Sequence, residues 1–273
     1  TNQEVTAIVS ENFLTSKATA SMMCQQVGAQ IFPVDIGIVR DTKLLNKKVS
    51  YGTKNIKKGP AMTKEEVYQG IETGISMVSK LKEEGYHIIA TGEMGIGNTT
   101  TSSAIASVLL EVDPEVVTGV GAGLSKEGVQ KKIEVIRQAI AVNHPDKNDP
   151  IEVLRTLGGL DIAGLTGVFL GGAIYRVPIV IDGMISGIAA LLAASIHPLS
   201  TSFQLASHLS KEPAAGMILS KLGKEPYITC GFSLGEGTGA LSLFPLLDLA
   251  LCVYNGMATF EENHIEQYRS FDE

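Results

Sequence analysis

Blocks of apolar residues at helical spacing alternate with short continuous apolar runs along this chain, and glycine-rich turns separate them. Residues 12–29 read as a helix: Thr15 or Ser16 caps it, Ala18, Ala20, Met22, Met23 and Val27 supply apolar faces, and Gly28 ends it. The run Ile31–Ile38 reads as a strand with Asp35 in its second half, and the polar, Lys-rich stretch 39–62 as loop. Thr63 and Glu66 have capping-box spacing and open a helix to about Glu84, ended by Gly85. Tyr86–Thr91 predicts a second strand that runs into Gly92–Thr100, and a helix over roughly 99–110 follows. Residues 117–123 are a Gly-rich strand end or loop. Ser125 then caps a helix to about Val142, with Val129, Ile133, Ile136 and Ile140 on one face.

Asp149-Pro150 opens another helix and Gly158-Gly159 closes it. Asp161–Tyr175 predicts a buried helix with Ala163, Gly164, Gly167 and Gly171 along it, and Pro178–Asp182 a third strand. A helix to about Ser195 and one over Lys211–Leu222 complete the pattern. Strands alternating with helices, with Gly-rich loops after the strands, predict an α/β fold with a doubly wound, mostly parallel sheet. The expected division is a large domain over 30–250 and a small helical domain from the chain ends, 1–29 and 251–273.

Composition narrows the class. The 273 residues suit one large domain or one with an appendage. A net charge of −7 argues against a nucleic-acid binder, because phosphate contacts need basic surface, and the runs Lys43–Lys58 and Lys126–Lys132 are short. Cys24, Cys230 and Cys252 are odd in number and far apart, with no metal spacing, so the expected compartment is the reducing cytoplasm. The start carries no apolar signal core, and it opens on Thr1 rather than Met, as a processed chain or a fragment would. The apolar region Ile162–Ile196 is broken by Arg176 and Asp182, too short in its uncharged runs for a membrane span, and reads as core.

In a parallel sheet, ligands bind beyond the carboxyl ends of the strands. Three loops qualify: Gly92–Thr100, Gly119–Gly123 and Asp182-Gly183. A fourth candidate is Leu234-Gly-Glu-Gly-Thr-Gly239, where Glu236 stands between two glycines in apolar surroundings. Such a carboxylate suits a general base; the alternative is a charge at the start of a helix opened by Thr238. Gly92–Thr99 has P-loop spacing with Asn98 where the lysine belongs, which argues against nucleoside-triphosphate chemistry. Glu93 in that turn either binds ribose hydroxyls or faces solvent. By its place on the helix, Lys132 reads as a solvated surface lysine. Ser210 is a helix cap whose free N–H groups can hold phosphate. Asp182 holds sugar or phosphate-loop amides, or caps the next helix. His208 is a weak candidate, and no histidines pair at metal spacing. No metal or cofactor is demanded.

Taken in order, Gly92-Glu-Met-Gly-Ile-Gly-Asn-Thr-Thr100, Gly119-Val-Gly-Ala-Gly123, Gly159-Leu-Asp-Ile-Ala-Gly-Leu-Thr-Gly167, Asp182-Gly183, Ser207-His-Leu-Ser210, Glu225-Pro226 and Leu234–Gly239 cover nearly the whole chain. This set resembles the nicotinate-nucleotide–dimethylbenzimidazole phosphoribosyltransferase family, which makes the lower-ligand nucleotide of cobalamin. The resemblance implies a cytosolic homodimer with a Rossmann-like large domain and a small helical domain built from both chain ends, with small-molecule substrates and no nucleic acid or membrane partner. It implies that Glu236 is the general base that frees a benzimidazole nitrogen to attack C1′ of nicotinate mononucleotide, with inversion from β to α. It implies that Glu93 and Gly95 lie at the ribose. Lys132, Gly183, Ser210 and the Gly121 loop would surround the 5′-phosphate, and Met94 and Leu234 would wall the base pocket. The family also has a further N-terminal segment, with an Asp-His-Gly stretch, ahead of the part matched here; it is expected to help build the small domain and the base pocket. The competing expectations are a paralogue acting on phenols or other bases, a non-catalytic nucleotide-binding subunit, and a P-loop phosphohydrolase.

Overall fold

The computed structural model describes residues 2–266; Thr1 and residues 267–273 of the expected small-domain segment lie outside the described residues. Two parallel sheets are present among them. The first pairs β1 (Val34–Asp35) with β2 (Leu45–Asn46). The second has the order β3 (Ile89–Ala90), β4 (Ile179–Ile181), β5 (Gln204–Ala206), with Ala90 opposite Val180 and Val180 opposite Leu205. A parallel bridge between His208 and Ile228 extends the line of β5.

Helices cover both faces of β4, which is buried along its whole length. Ile179 and Ile181 join the main core with α8 (Leu160–Tyr175) and α9 (Met184–Ile196). Val180 points the other way, onto Ala240 and Leu243 of α11 (Thr238–Gly256). A central strand buried on both sides is why Pro178–Asp182 reads as a continuous apolar run.

The glycine content has a packing cause. Helix α3 (Lys64–Glu83), opened by the Thr63–Glu66 capping box, lies against α8. A Cβ added at Gly74 would stand 2.0 Å from the Gly164 carbonyl oxygen, and one at Gly167 would stand 2.0 Å from that of Ile71. The two backbones touch along this seam, so no side chain fits there.

Several elements differ from expectation. The strands are two or three residues long, and Pro33, which has no N–H to donate, keeps the first from spanning Ile31–Ile38. β2 falls inside the stretch read as loop, and β5 is too short to register. The helix expected over 12–29 forms only as α2 (Thr19–Val27), with Ala18 rather than Thr15 or Ser16 at its N-cap, because a 3₁₀ turn at Phe13–Thr15 and Ser16 at φ 54° precede it; α1 (Glu4–Asn12) was not anticipated. A four-residue helix, α5 (Pro114–Val117), was not anticipated. The helix expected over Lys211–Leu222 forms only as α10 (Ala215–Lys221), after Pro213. Helices α4 (Asn98–Leu110), α6 (Lys126–Asn143) and α7 (Pro150–Leu157) match closely.

Helix α11 also escapes notice as an apolar span in the sequence. Among the described helices it is the one long and apolar enough to cross a membrane by length and composition. Its first residues, Thr238–Leu241 and Leu243, are buried in the protein, and Pro245 lies within it.

Candidate active site

The three strands of the larger sheet end at Thr91, Asp182 and Ser207, side by side, and the start of α11 comes back over them. Thr91 is pinned there: its Oγ1 donates to the Val180 carbonyl (2.7 Å) and lies 2.6 Å from Ser186 Oγ. Beyond it, a Cβ on Gly92 would stand 2.7 Å from the Glu236 carbonyl oxygen and 2.9 Å from Gly237 N. The strand end and the Glu236 turn therefore share one surface.

That turn is left-handed at three successive residues: Gly235 at φ 83°, Glu236 at φ 61° and Gly237 at φ 89°. Glycine adopts this region freely, but glutamate there carries strain on the order of 1–3 kcal/mol. The clamp that holds it is Asp182. Its Oδ2 accepts from Gly237 N (3.2 Å) and its Oδ1 from Ala240 N (3.0 Å). The carboxylate caps α11, not the helix that follows β4. Burial raises its pKa, opposed by these amides and by the nearby His208. His208 is itself buried, with Nδ1 3.0 Å from Ser207 Oγ and its ring edge-on to Phe232; burial lowers its pKa and the charge of Asp182 works against that.

Glu236 Oε2 is buried and has no hydrogen-bond partner among the described residues. A buried carboxylate oxygen with nothing to accept from is costly, and it is ready to accept from a ligand.

Glu93 is half-buried, with its carboxyl group on the enclosed side. A Cβ on Gly235 would stand 3.1 Å from its Oε1. Burial, then the charge of Asp161, pushes its pKa up to about 8; Asn98 opposes the rise, and Asp182 and Glu236 add to it. The Asn98 amide donates to Glu93 and, at 2.8 Å, to Asp161 Oδ2. This explains the asparagine in a P-loop spacing: it ties two carboxyl groups together where a lysine would reach for phosphate. Asp161, whose pKa is raised by burial, lies inside a quoted motif, yet nothing in the sequence marked it as part of this corner. Gly95 packs against the same pair, with its Cβ position 2.9 Å from Asp161 Oδ2.

The titration of Glu93 predicts a stability effect. Its carboxyl group keeps its proton up to about pH 8 when folded and loses it near 4.5 when unfolded. Across that window the unfolded chain binds fewer protons, so this residue makes stability fall as pH rises. Glu93→Gln removes the effect. Its melting temperature relative to the parent should climb from about pH 5 to about pH 8; two melting curves that stay parallel in pH would contradict the assignment.

Lys132 corrects the expectation of a solvated lysine. It is buried, and its Nζ donates to Thr99 Oγ1 (2.9 Å) and to the Gly119 carbonyl (3.2 Å). Burial lowers its pKa and Glu212 works against this. A Cβ on Gly121 would lie 2.8 Å from Thr99 Oγ1 and 3.5 Å from Lys132 Nζ. On the far side, Glu212 N donates to Ser210 Oγ (3.3 Å), and a Cβ on Gly183 would sit 3.8 Å from that same oxygen. Lys132, Gly121, Ser210, Gly183, Asp182, Glu236 and Glu93 are thus linked through successive contacts. Met94 is half-buried in the same loop as Glu93, and Leu234 is exposed just ahead of the turn. Thr99 and Glu212 were not singled out from sequence.

A cavity of about 660 Å³ lies elsewhere, lined by Lys54, Lys58, Pro60, Met62 and Arg155, none of them in the motifs. A smaller one is lined by Asp182, Gly183, His208 and Ser210 and belongs to the corner just described. No group of three His, Cys, Asp or Glu among the described residues is arranged to hold a metal ion.

Residues 1–265 match the family model described as Phosphoribosyltransferase (DBI_PRT). A nicotinate-nucleotide–dimethylbenzimidazole phosphoribosyltransferase of Clostridium acetobutylicum is 47% identical over 270 residues, 98% of this chain and 77% of the relative. One of Ruminiclostridium cellulolyticum is 46% identical over 273 residues, 99% of this chain and 78% of the relative. The crystal structure of CobT from Thermus thermophilus superposes with a TM-score of 0.92 at 36% identity, covering 98% of this chain and 81% of that one. The parallel α/β architecture, the matched family and these relatives agree: the chain belongs to the nicotinate-nucleotide–dimethylbenzimidazole phosphoribosyltransferase family, enzymes that transfer a pentosyl group.

Proposed function

We propose that the chain transfers the phosphoribosyl group of nicotinate mononucleotide to 5,6-dimethylbenzimidazole, giving α-ribazole 5′-phosphate and nicotinate. The observation that carries this reading is the Glu236 turn, with its unpartnered carboxylate oxygen, linked through successive contacts to a buried cationic corner at Lys132. Glu236 takes the N–H proton of the benzimidazole. The freed nitrogen attacks C1′ on the face opposite nicotinate, and the glycosidic electron pair leaves onto the pyridinium ring, which becomes neutral. The configuration inverts. Loss of the ring's positive charge drives departure, so no metal is needed to receive the electrons.

The remaining residues position the reactants. Lys132 and Ser210, with the backbone at Gly121 and Gly183, hold the 5′-phosphate. Glu93, which keeps its proton to about pH 8, can donate to or accept from a ribose hydroxyl beside Gly95. Met94 and Leu234 wall the base. Asp182 acts through Glu236 by fixing its turn. Such positioning is worth roughly 7–11 kcal/mol and a placed base about 10²–10⁴-fold.

The outer side of α11 leaves Leu246, Leu249, Val253 and Tyr254 exposed, which supports a homodimer or a covering segment of the small helical domain. Helix α2 packs on α11 through Ala20, Cys24 and Leu241. Leu241 lies in the expected large domain, so this contact joins 1–29 to that domain, and α11 crosses residue 250 unbroken. The three free cysteines suit the cytoplasm.

The test is an assay of purified chain with nicotinate mononucleotide and a panel of bases, without added metal, read by mass detection. α-Ribazole phosphate from dimethylbenzimidazole is the expected product. Product from p-cresol alone would replace the acceptor in this reading with a phenol. Nucleotide binding without any transfer, in a chain that carries the family's N-terminal segment, would replace it with a non-catalytic subunit.

A further inference from the structure

Glu212 stands at the cationic corner without a role in the reaction as written. Its Oε2 is buried and unpartnered. It presses on the Gly119 backbone so closely that a Cβ there would lie 2.0 Å away. Lys132 donates to the carbonyl of that same Gly119. Yet the two charged groups do not close into an ion pair: Lys132 gives its hydrogen bonds to Thr99 and Gly119. Glu212 is therefore near enough to favour the lysine's charge against burial, but its oxygen gains no donor in return.

A carboxylate held in that state is poorly compensated. It also carries the same sign as a phosphate. A dianion brought to Lys132 would share that corner with Glu212, and like charges repel most where water is scarce.

We propose that Glu212 is a positioning residue that competes with the substrate's phosphate for Lys132. In the empty site its charge favours the buried ammonium against the effect of burial. When a phosphate monoester arrives, Lys132 turns toward it from Thr99 and the Gly119 carbonyl, and the phosphate then shares the lysine's field with Glu212. The repulsion that remains keeps the phosphorylated product from staying bound. This inference rests on the reading of Lys132 as the phosphate contact.

The experiment uses the full chain and inorganic phosphate as the probe, with binding measured by calorimetry and initial rates measured against nicotinate mononucleotide. Wild type, Glu212→Gln and Lys132→Met are compared. Glutamine keeps the shape and removes the charge. Glu212→Gln should bind inorganic phosphate about tenfold tighter or more. Its KM for nicotinate mononucleotide should fall, and its kcat should fall with it as product lingers. A purely structural role would lower the melting temperature without tightening phosphate. Phosphate binding that is unchanged or weaker in Glu212→Gln, while Lys132→Met abolishes it, overturns the competition and leaves the phosphate corner standing. Phosphate binding unchanged in Lys132→Met overturns the corner itself, and the inference with it.

Discussion

Glu236→Gln is expected to lower kcat by about 10²–10⁴-fold while the dissociation constant for nicotinate mononucleotide stays within about twofold. Glutamine matches glutamate in volume and suits the turn no worse, so the backbone at φ 61° has no new reason to move. What it lacks is an oxygen that can take a proton. The unpartnered Oε2 is where that proton would go. The phosphate and ribose contacts assigned to Lys132, Ser210 and Glu93 come from other elements and are untouched. The loss should therefore appear in kcat rather than in nucleotide binding. Rapid-quench turnover beside equilibrium binding measures both. Full activity in Glu236→Gln would remove Glu236 from the role of base.

Asp182→Asn should lose both stability and rate, through a residue assigned no contact with a reacting atom. Both carboxylate oxygens accept from amides of α11, at Gly237 and Ala240. An amide side chain keeps one acceptor and turns an N–H toward the other donor. A buried donor left facing a donor costs about 1–3 kcal/mol. The start of α11 also loses a negative charge that is favourable at the positive end of its dipole. Freed from the clamp, the strained turn relaxes and Glu236 shifts. A displacement of about 1 Å costs on the order of 10²-fold in rate. The signature of positioning is a fall in kcat with little change in KM for the nucleotide, joined to a lower melting temperature. A variant that melts early but turns over at the parental rate would show that the clamp serves the fold alone.

Much of this layout is legible before any coordinates. The Thr63–Glu66 box, the Asp149-Pro150 start and the Ser125 cap are local signals, and the helices they open are there. The loops Gly92–Thr100 and Asp182-Gly183 follow strands, and the ends of parallel strands are where a site forms, but Gly119–Gly123 follows the short helix α5 instead. What escapes notice depends on distant partners. Lys132 lies beside an apolar stripe, and its neighbours in sequence give no reason to bury it. The reason is Thr99 and the Gly119 carbonyl, on other elements. Asp182 looks like a cap for the helix after it, and only the returning α11 gives it its real partners. The strands β2 and β5, two and three residues long, are defined by their pairing and carry too little alternation to be seen alone. Glu212 sits in an ordinary Lys-Glu-Pro turn, and its meaning comes from Gly119, nearly a hundred positions earlier.

The Asp182 clamp also sets an order of assembly. A chain emerging from the ribosome presents Thr91 first, then β4 with Asp182, and only much later the amides of Gly237 and Ala240. Domains generally fold as units, N-terminal parts first, during synthesis. The sheet and the α3–α8 seam can therefore condense while Asp182 still waits for its donors, and the turn that carries Glu236 has nothing to lock onto until α11 is out. The nascent protein acquires its architecture early and its chemistry last.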